Sequence, residues 1–281
     1  MPLYALVDVR RLAYYLLVPA LSAGALTACS DEKSVQVGFR PEAGATYRYE
    51  IKVQSVTTTV LGDDAPDRSV DEVTLESRDT VLSSAPEEVK VQVQLLRAGS
   101  PDRTFRVRFD RAAQLAGVDA VDGLPPEVLG PVGLPEFLPA AATAPPDRPL
   151  SPGEKWKIDA TPTFAGASPV RLQGTGRLVK VSSAGGRKVA SIKAETRVPL
   201  SSTSKVGDAT VSISGMETTE SSATRALADG VVQEASSVTK GSYNLVLTSG
   251  SGSSVVAPVT GTMSVEIRAQ TRRLPDEAKK A

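Results

Sequence analysis

The chain has 281 residues, 32 Lys and Arg against 32 Asp and Glu, no His, one Cys, one Trp and 4% aromatic residues. At 41% hydrophobic and 23% charged, it is too apolar for a disordered chain and ordinary for a folded body. Zero net charge argues against nucleic acid as a partner, since phosphate neutralisation needs a basic surface. The absence of His removes the commonest general base and metal ligand, and with them Cys–His proteases and zinc sites built on His or several Cys.

In chain order, Arg10 and Arg11 precede a charge-free run over residues 13–28, AYYLLVPALSAGALTA. Positive charge, apolar stretch and small residues at its end form the three parts of an export signal. A spanning helix needs about 20 apolar residues; this run is shorter and Pro19 and Gly24 interrupt it. It closes on Leu26-Thr27-Ala28-Cys29. These four residues resemble the lipobox of bacterial lipoproteins, in which a diacylglyceryl group is joined to the Cys sulfur and a peptidase cuts just before it. The resemblance implies cleavage between Ala28 and Cys29, a lipid anchor on Cys29, and a body held at the outer face of the bacterial cell membrane. A thiolate is the side-chain nucleophile suited to making a thioether. One acyl chain holds a bilayer marginally, at about 0.8 kcal/mol per buried CH₂, whereas two hold it stably. The alternative is an uncleaved anchor or a plain secretory signal, with Cys29 incidental.

Removing residues 1–28 takes away Asp8, Arg10 and Arg11 and moves the net charge from 0 to −1. No intramolecular disulfide is then available, so an ordinary core must hold the body; a chain of this size can bury roughly 70–75% of its unfolded surface. Residues 29–37 read as a polar tether. From Tyr47 the chain alternates, with Tyr47, Tyr49, Ile51 and Val53 on one face and Arg48, Glu50, Lys52 and Gln54 on the other. That is a strand with one buried face. The same period returns over residues 89–95, 105–109, 243–247 and 263–268, and more weakly over 73–81, 176–181, 189–198, 209–214, 217–227 and 231–240. Turn residues separate them at 62–67, 98–102, 184–186 and 229–230, and the Ser-Gly run 249–253 reads as a loop.

Residues 110–149 differ, being dense in Pro, Ala and Leu. Val128, Leu129, Val132, Leu134, Phe137 and Leu138 are many apolar residues for a linker, while the prolines forbid a long helix. The expected fold is therefore mainly β: a large curved antiparallel sheet, half-barrel-like, with one or two short helices from residues 110–149 packed on its apolar face. A first β-rich half spans residues 38–149 and a second 150–274, with 275–281 a disordered tail. The alternative for 110–149 is a Pro-rich linker between two domains.

The two halves open alike. Gly44 precedes Tyr47-Arg48 by the spacing at which Gly153 precedes Trp156-Lys157. The lipobox and the run 149–156, PLSPGEKW, resemble a family of uncharacterised bacterial lipoproteins in which Gly-x-x-aromatic opens a β-rich region and Pro-x-x-Gly-x-x-Trp comes later. More loosely, the pattern is similar to lipoprotein carriers of the LolA and LppX/LprG type, half-barrels curled over helices with an apolar cavity for acyl chains. No carrier binding residue maps onto this chain.

Chemical motifs are sparse. Ser-x-x-Lys occurs at Ser30–Lys33, Ser202–Lys205 and Ser237–Lys240, without the Ser-Asp-Asn and Lys-Thr-Gly companions of penicillin-binding enzymes. Asp63, Asp64, Asp67, Asp71 and Glu72 match no calcium loop and read as a solvated hairpin. Trp156 and Phe137 read as core anchors. No catalytic, cofactor or metal residue is therefore assigned; the site residues are the lipid attachment at Cys29 and its lipobox. Two functional readings stand: a membrane-anchored lipoprotein holding a lipid or other amphiphile under its sheet, or a structural or protein-interaction lipoprotein without a small ligand.

Overall fold

The computed structural model describes residues 34–96, 102–111, 115–122, 143, 145–164, 171–206, 209–248 and 258–275. Among them are fourteen strands and no helix. They are β1 (Val35–Gln36), β2 (Thr46–Leu61), β3 (Asp67–Ser84), β4 (Val89–Leu96), β5 (Arg103–Phe109), β6 (Leu115–Asp122) and β7 (Pro149–Leu150). The second half adds β8 (Lys155–Ala160), β9 (Thr163–Phe164), β10 (Leu172–Ala184), β11 (Arg187–Val206), β12 (Ala209–Ala226), β13 (Val232–Thr248) and β14 (Val259–Arg273).

Twelve of these form one sheet in the order β8-β10-β11-β12-β13-β14-β2-β3-β4-β5-β6-β9. Every neighbouring pair is antiparallel except β6 with β9. The two edge strands are consecutive in the chain, joined only through Thr161 and Pro162, so residues 155–164 span the seam and nearly close the sheet into a barrel. Closure removes the exposed edges that would otherwise template aggregation. Arg108 secures one side of the seam: its Nε donates to Asp119 at 2.6 Å and its Nη2 to Thr163 Oγ1 at 3.3 Å, while Nη1 reaches Glu88 at 3.4 Å. On the other side Arg171 forks onto Asp159 at 2.8 and 2.9 Å.

The alternation sets the faces. Tyr47, Tyr49, Ile51 and Val53 are all buried, in one cluster with Val89, Val91, Val93, Phe105, Val107 and Phe109. A second cluster gathers Val37, Leu150, Trp156, Ile158, Leu178 and Ile192. Among the described residues the strand pairings and both clusters lie within residues 34–275. Outward positions are charged or hydroxylic, as at Lys52, Gln54, Lys90, Arg106, Lys193 and Lys240. A membrane-spanning barrel has the opposite arrangement, and Lys or Arg on its lipid face costs about 2–4 kcal/mol at the midplane.

The short helices expected from residues 110–149 are not seen among the described residues of that segment. Leu115–Asp122 is strand β6, whose Val118 enters the first cluster. Pro149–Leu150 pairs with β1. Val128, Leu129, Val132, Leu134, Phe137 and Leu138 lie outside the described residues, as does the Ser-Gly run at 249–253. The separate stretches 209–214 and 217–227 are one strand, β12, which passes through Gly215 because a Cβ there would strike the Ser242 carbonyl of β13. Likewise 231–240 and 243–247 run together in β13 through Gly241, over which the Tyr243 ring lies. Pairing also starts ahead of residue 38, with Val35–Gln36 in a strand and Val37 fully buried.

The resemblance between the openings of the halves is structural. Gly44 and Gly153 both adopt positive φ, 83° and 86°. Gly44 N–H donates to the Val81 carbonyl at 2.8 Å and Val81 N–H returns to Ala45 at 2.9 Å; Gly153 N–H donates to Leu178 at 2.7 Å and Leu178 N–H returns to Glu154 at 3.0 Å. In each copy the register then shifts by one, after Val81 and after Leu178, and the extra residue, Leu82 or Val179, is left exposed. The copies differ opposite the aromatic. Tyr47 faces Asp79, whereas Trp156 faces Gly176, where a Cβ would run into the indole.

Gly176→Ala is therefore expected to cost about 1–3 kcal/mol of stability by overpacking. In a Trp156→Leu background the same substitution should cost clearly less. Chemical denaturation of the four proteins of this cycle measures the coupling.

Candidate functional site

Tracing the strands upward from β2 defines two ends. Thr46, Ser84, Val89, Ala184, Arg187, Ala226, Val232 and Arg273 lie at one end, called the strap end because residues 35–40 cross it. There Phe39 N–H donates to Arg111 at 2.9 Å and Arg40 N–H to Asp229 at 2.7 Å. Phe39 meets Phe109 edge to face, with centroids 5.6 Å apart.

Behind the strap the interior holds an unexpected polar group. Inward positions of β3 run Val73, Leu75, Ser77, Asp79, Val81, and the carboxyl of Asp79 is buried, accepting a very short hydrogen bond from Ser77. Burial raises Asp79 from an ordinary value of 3.8 to about 7, with the Ser77 bond acting against the rise. Arg225, on the inward face of β12, is fully buried and donates to the Gly230 carbonyl at 3.1 Å. Desolvation lowers its pKa to about 10, with the Tyr49 phenol opposing. Tyr49 lies within the field of both: burial pushes its hydroxyl up, the Asp79 charge adds to this, and Arg273 and Arg225 pull it back. Arg273 itself lies 4.9 Å from the Tyr47 ring centre, a cation–π contact. A further inward pair sits on the longer strands, where the Tyr243 hydroxyl donates to Glu217, and burial followed by that bond raises the Tyr243 pKa.

These groups have catalytic residue types and no access. Ser77 and Arg225 are wholly buried and Asp79 nearly so, and a catalytic group must touch its substrate. The cluster fixes the interior instead. Sequence reasoning missed it, although the signal was present as an acid in the inward register of residues 73–81 and a base in that of 217–227.

The described grooves lie on the outer, polar face. One of about 640 Å³ crosses β10 to β2 and is lined by Lys52, Lys180, Ser191, Lys193, Thr224 and Arg272 among others. Its neighbour of about 540 Å³ shares Lys193, Ser222 and Ser236 and adds Lys155, Arg177 and Glu220. Ser222 and Ser236 are hydrogen-bonded at 2.8 Å. No aromatic side chain lines either groove, so a sugar ring would find no stacking platform there.

The residues singled out by motif are placed as follows. Ser237 and Lys240 lie three apart on β13, where that spacing puts them on opposite faces, so this pair cannot work as nucleophile and base, and Ser202 and Lys205 lie on β11. Asp63, Asp64, Asp67, Asp71 and Glu72 are exposed around the β2–β3 turn, and among the described residues no cluster of three or more acidic, Cys or His side chains is arranged to hold a metal. Trp156 is a core residue. Leu26, Thr27, Ala28, Cys29 and the Ser30–Lys33 match lie outside the described residues, as does Phe137.

No family profile and no curated protein matches the chain. Among solved structures, a loop-deletion mutant of OmpT, an outer membrane protein of Vibrio cholerae, aligns over 83% of this chain and 100% of its own at 10% identity. The TM-score is 0.14, too low to carry an argument about fold.

Asp79 makes a prediction with a definite sign. Its pKa is higher folded than unfolded, so the folded chain binds the proton more tightly. The stability contributed by Asp79 is full below about pH 4 and falls as pH rises towards 7, by up to about 4 kcal/mol at the extreme. Asp79→Asn, which imitates the protonated acid, should flatten denaturation midpoints between pH 5 and 8 and raise stability at pH 8.

Proposed function

We propose that this protein is an extracytoplasmic lipoprotein, held to the bacterial cell membrane by diacylglyceryl-Cys29, whose barrel is a binding and interaction body with no reaction of its own. The observation that supports it best is the division of faces. The titratable interior is sealed, while the accessible grooves are lined by hydroxyls and opposed charges suited to polar recognition. This favours the interaction reading over a carrier with its ligand under the sheet. The export-signal pattern and the Leu26-Thr27-Ala28-Cys29 motif supply the anchor, and the barrel supplies a water-facing body that needs no disulfide.

One observation favours the amphiphile reading. Away from the strap end, the inner wall stays apolar through Leu200, Ile213, Leu245, Leu247 and Met263, several of them only half-buried and none in either cluster. An acyl chain bound there would lie in the far mouth and not beneath the packed core.

Expression in a bacterium with labelled palmitate should mark the wild-type protein and leave Cys29→Ser unlabelled and larger, at its precursor mass. Native mass spectrometry of the membrane-extracted protein then separates the readings, since a co-purifying lipid beyond the anchor supports the amphiphile reading and a bare protein supports the interaction body.

A further inference from the structure

Charge is not evenly spread over the outer face. Lys155 of β8 pairs directly with Arg177 of β10, and Arg177 directly with Lys193 of β11. Three cations thus stand side by side across three strands, all exposed. Like charges directly opposite one another destabilise a sheet. The same row continues through Ser222, Ser236, Gln270, Lys52 and Thr74 without one acid. Lys180 lies just beyond, carried out by the bulge at Val179, and Arg187 and Lys188 extend the array to the hairpin tip. Residues 177–194 contain five basic residues and no acidic one. Some cations elsewhere on this face are paired, Arg197 with Glu195 at 2.9 Å and Arg268 with Glu266 at 2.6 Å, and the exposed Arg68, Arg106 and Lys240 stand singly, without a cation directly opposite. Among the described residues no ion pair involves Lys155, Arg177, Lys180 or Lys193.

This array is at the strap end. The β10–β11 hairpin turns at Gly185-Gly186, beside the β12–β13 turn on whose Asp229 the strap docks. The strap enters from Ser34, five positions after Cys29, and five residues span at most about 18 Å. Most acids at this end lie elsewhere or are engaged: Glu42 and Glu87 are on other turns, Glu88 meets Lys90 and Arg108, Asp147 meets Arg40, and Glu154 meets Arg148, while Glu234 of β13 stands exposed beside the neighbouring groove.

We propose that Lys155, Arg177, Lys180 and Lys193, with the Arg187-Lys188 tip, form a docking surface for the anionic phospholipid headgroups of the membrane that carries the anchor. The inference rests on the lipid-anchor reading, which places this end against the bilayer. Lys155, Arg177 and Lys193 line the groove of about 540 Å³ at one side, with Glu195 and Glu220 also in its lining, and the neighbouring Ser222–Ser236 hydroxyl pair can donate to headgroup oxygens. Each cation near an anionic surface contributes about fivefold in partitioning, screened beyond roughly 10 Å at 0.1 M salt. The anchor holds the protein at the membrane; the array orients it, strap end down.

The test uses residues 29–281 with Cys29→Ser, so that no acyl chain contributes, and vesicles of phosphatidylcholine with or without phosphatidylglycerol. The protein should sediment with the mixed vesicles at low salt, release at 0.5 M salt and ignore pure phosphatidylcholine. Lys155→Glu with Arg177→Glu and Lys193→Glu should lose on the order of 100-fold in partitioning. The control Arg68→Glu, Arg106→Glu and Lys240→Glu carries the same net-charge change on exposed positions elsewhere and should lose far less. Melting curves of both triples establish that they are folded. Equal binding to both vesicle types, or equal losses for the two triples, overturns the proposal. Palmitate labelling at Cys29 is independent of either outcome, so failure of the anchor and failure of the docking surface are told apart.

Discussion

The strap over the barrel end is the constraint on which the arrangement depends. A few residues tie the two clusters together: Val37 is fully buried in one and Phe39 in the other. The crossing is close enough that a side chain at Gly230 would strike the Gly38 carbonyl, and the strap's backbone is bonded to two separate turns.

Closure of the sheet follows a related logic. A sheet of strands as long as β11 to β14 would have two exposed edges, and here one short run of chain serves both. Among the described residues the seam is weak in backbone pairing, since β6 and β9 share a two-residue parallel contact. Side chains compensate, with Arg108 on one flank and Asp159 on the other, whose carboxyl is held well below the usual range chiefly by its bonds to Arg171. The outcome is a barrel with its apolar face inward and its charges in water.

Much of the β architecture was legible because period-two alternation depends on burial alone. The inward register of Tyr47, Tyr49, Ile51 and Val53 and the turns at 184–186 and 229–230 could be read directly. Closure could not, since pairing of β6 with β9 is long-range and parallel and leaves no local pattern. The helices expected in residues 110–149 came from counting apolar residues between prolines at 128–138, which lie outside the described residues, while alternation too weak to read from sequence makes Leu115–Asp122 a strand. The interior polar group was overlooked because Asp79 and Arg225 sit singly among neutral neighbours, and a search for motifs passes over them. The basic row was hidden for a different reason: Lys155, Arg177 and Lys193 are far apart in sequence and become neighbours only through the register of β8, β10 and β11.

Hydrogen exchange at the strap tests the account most directly. The amides of Phe39 and Arg40 donate to Arg111 and Asp229 and should exchange orders of magnitude more slowly than a free peptide, alongside the amides of β2 and β13. Exchange of Phe39 and Arg40 at the rate of an unstructured tail, with the barrel strands still protected, would contradict it, because the strap would then not be bonded across the barrel end.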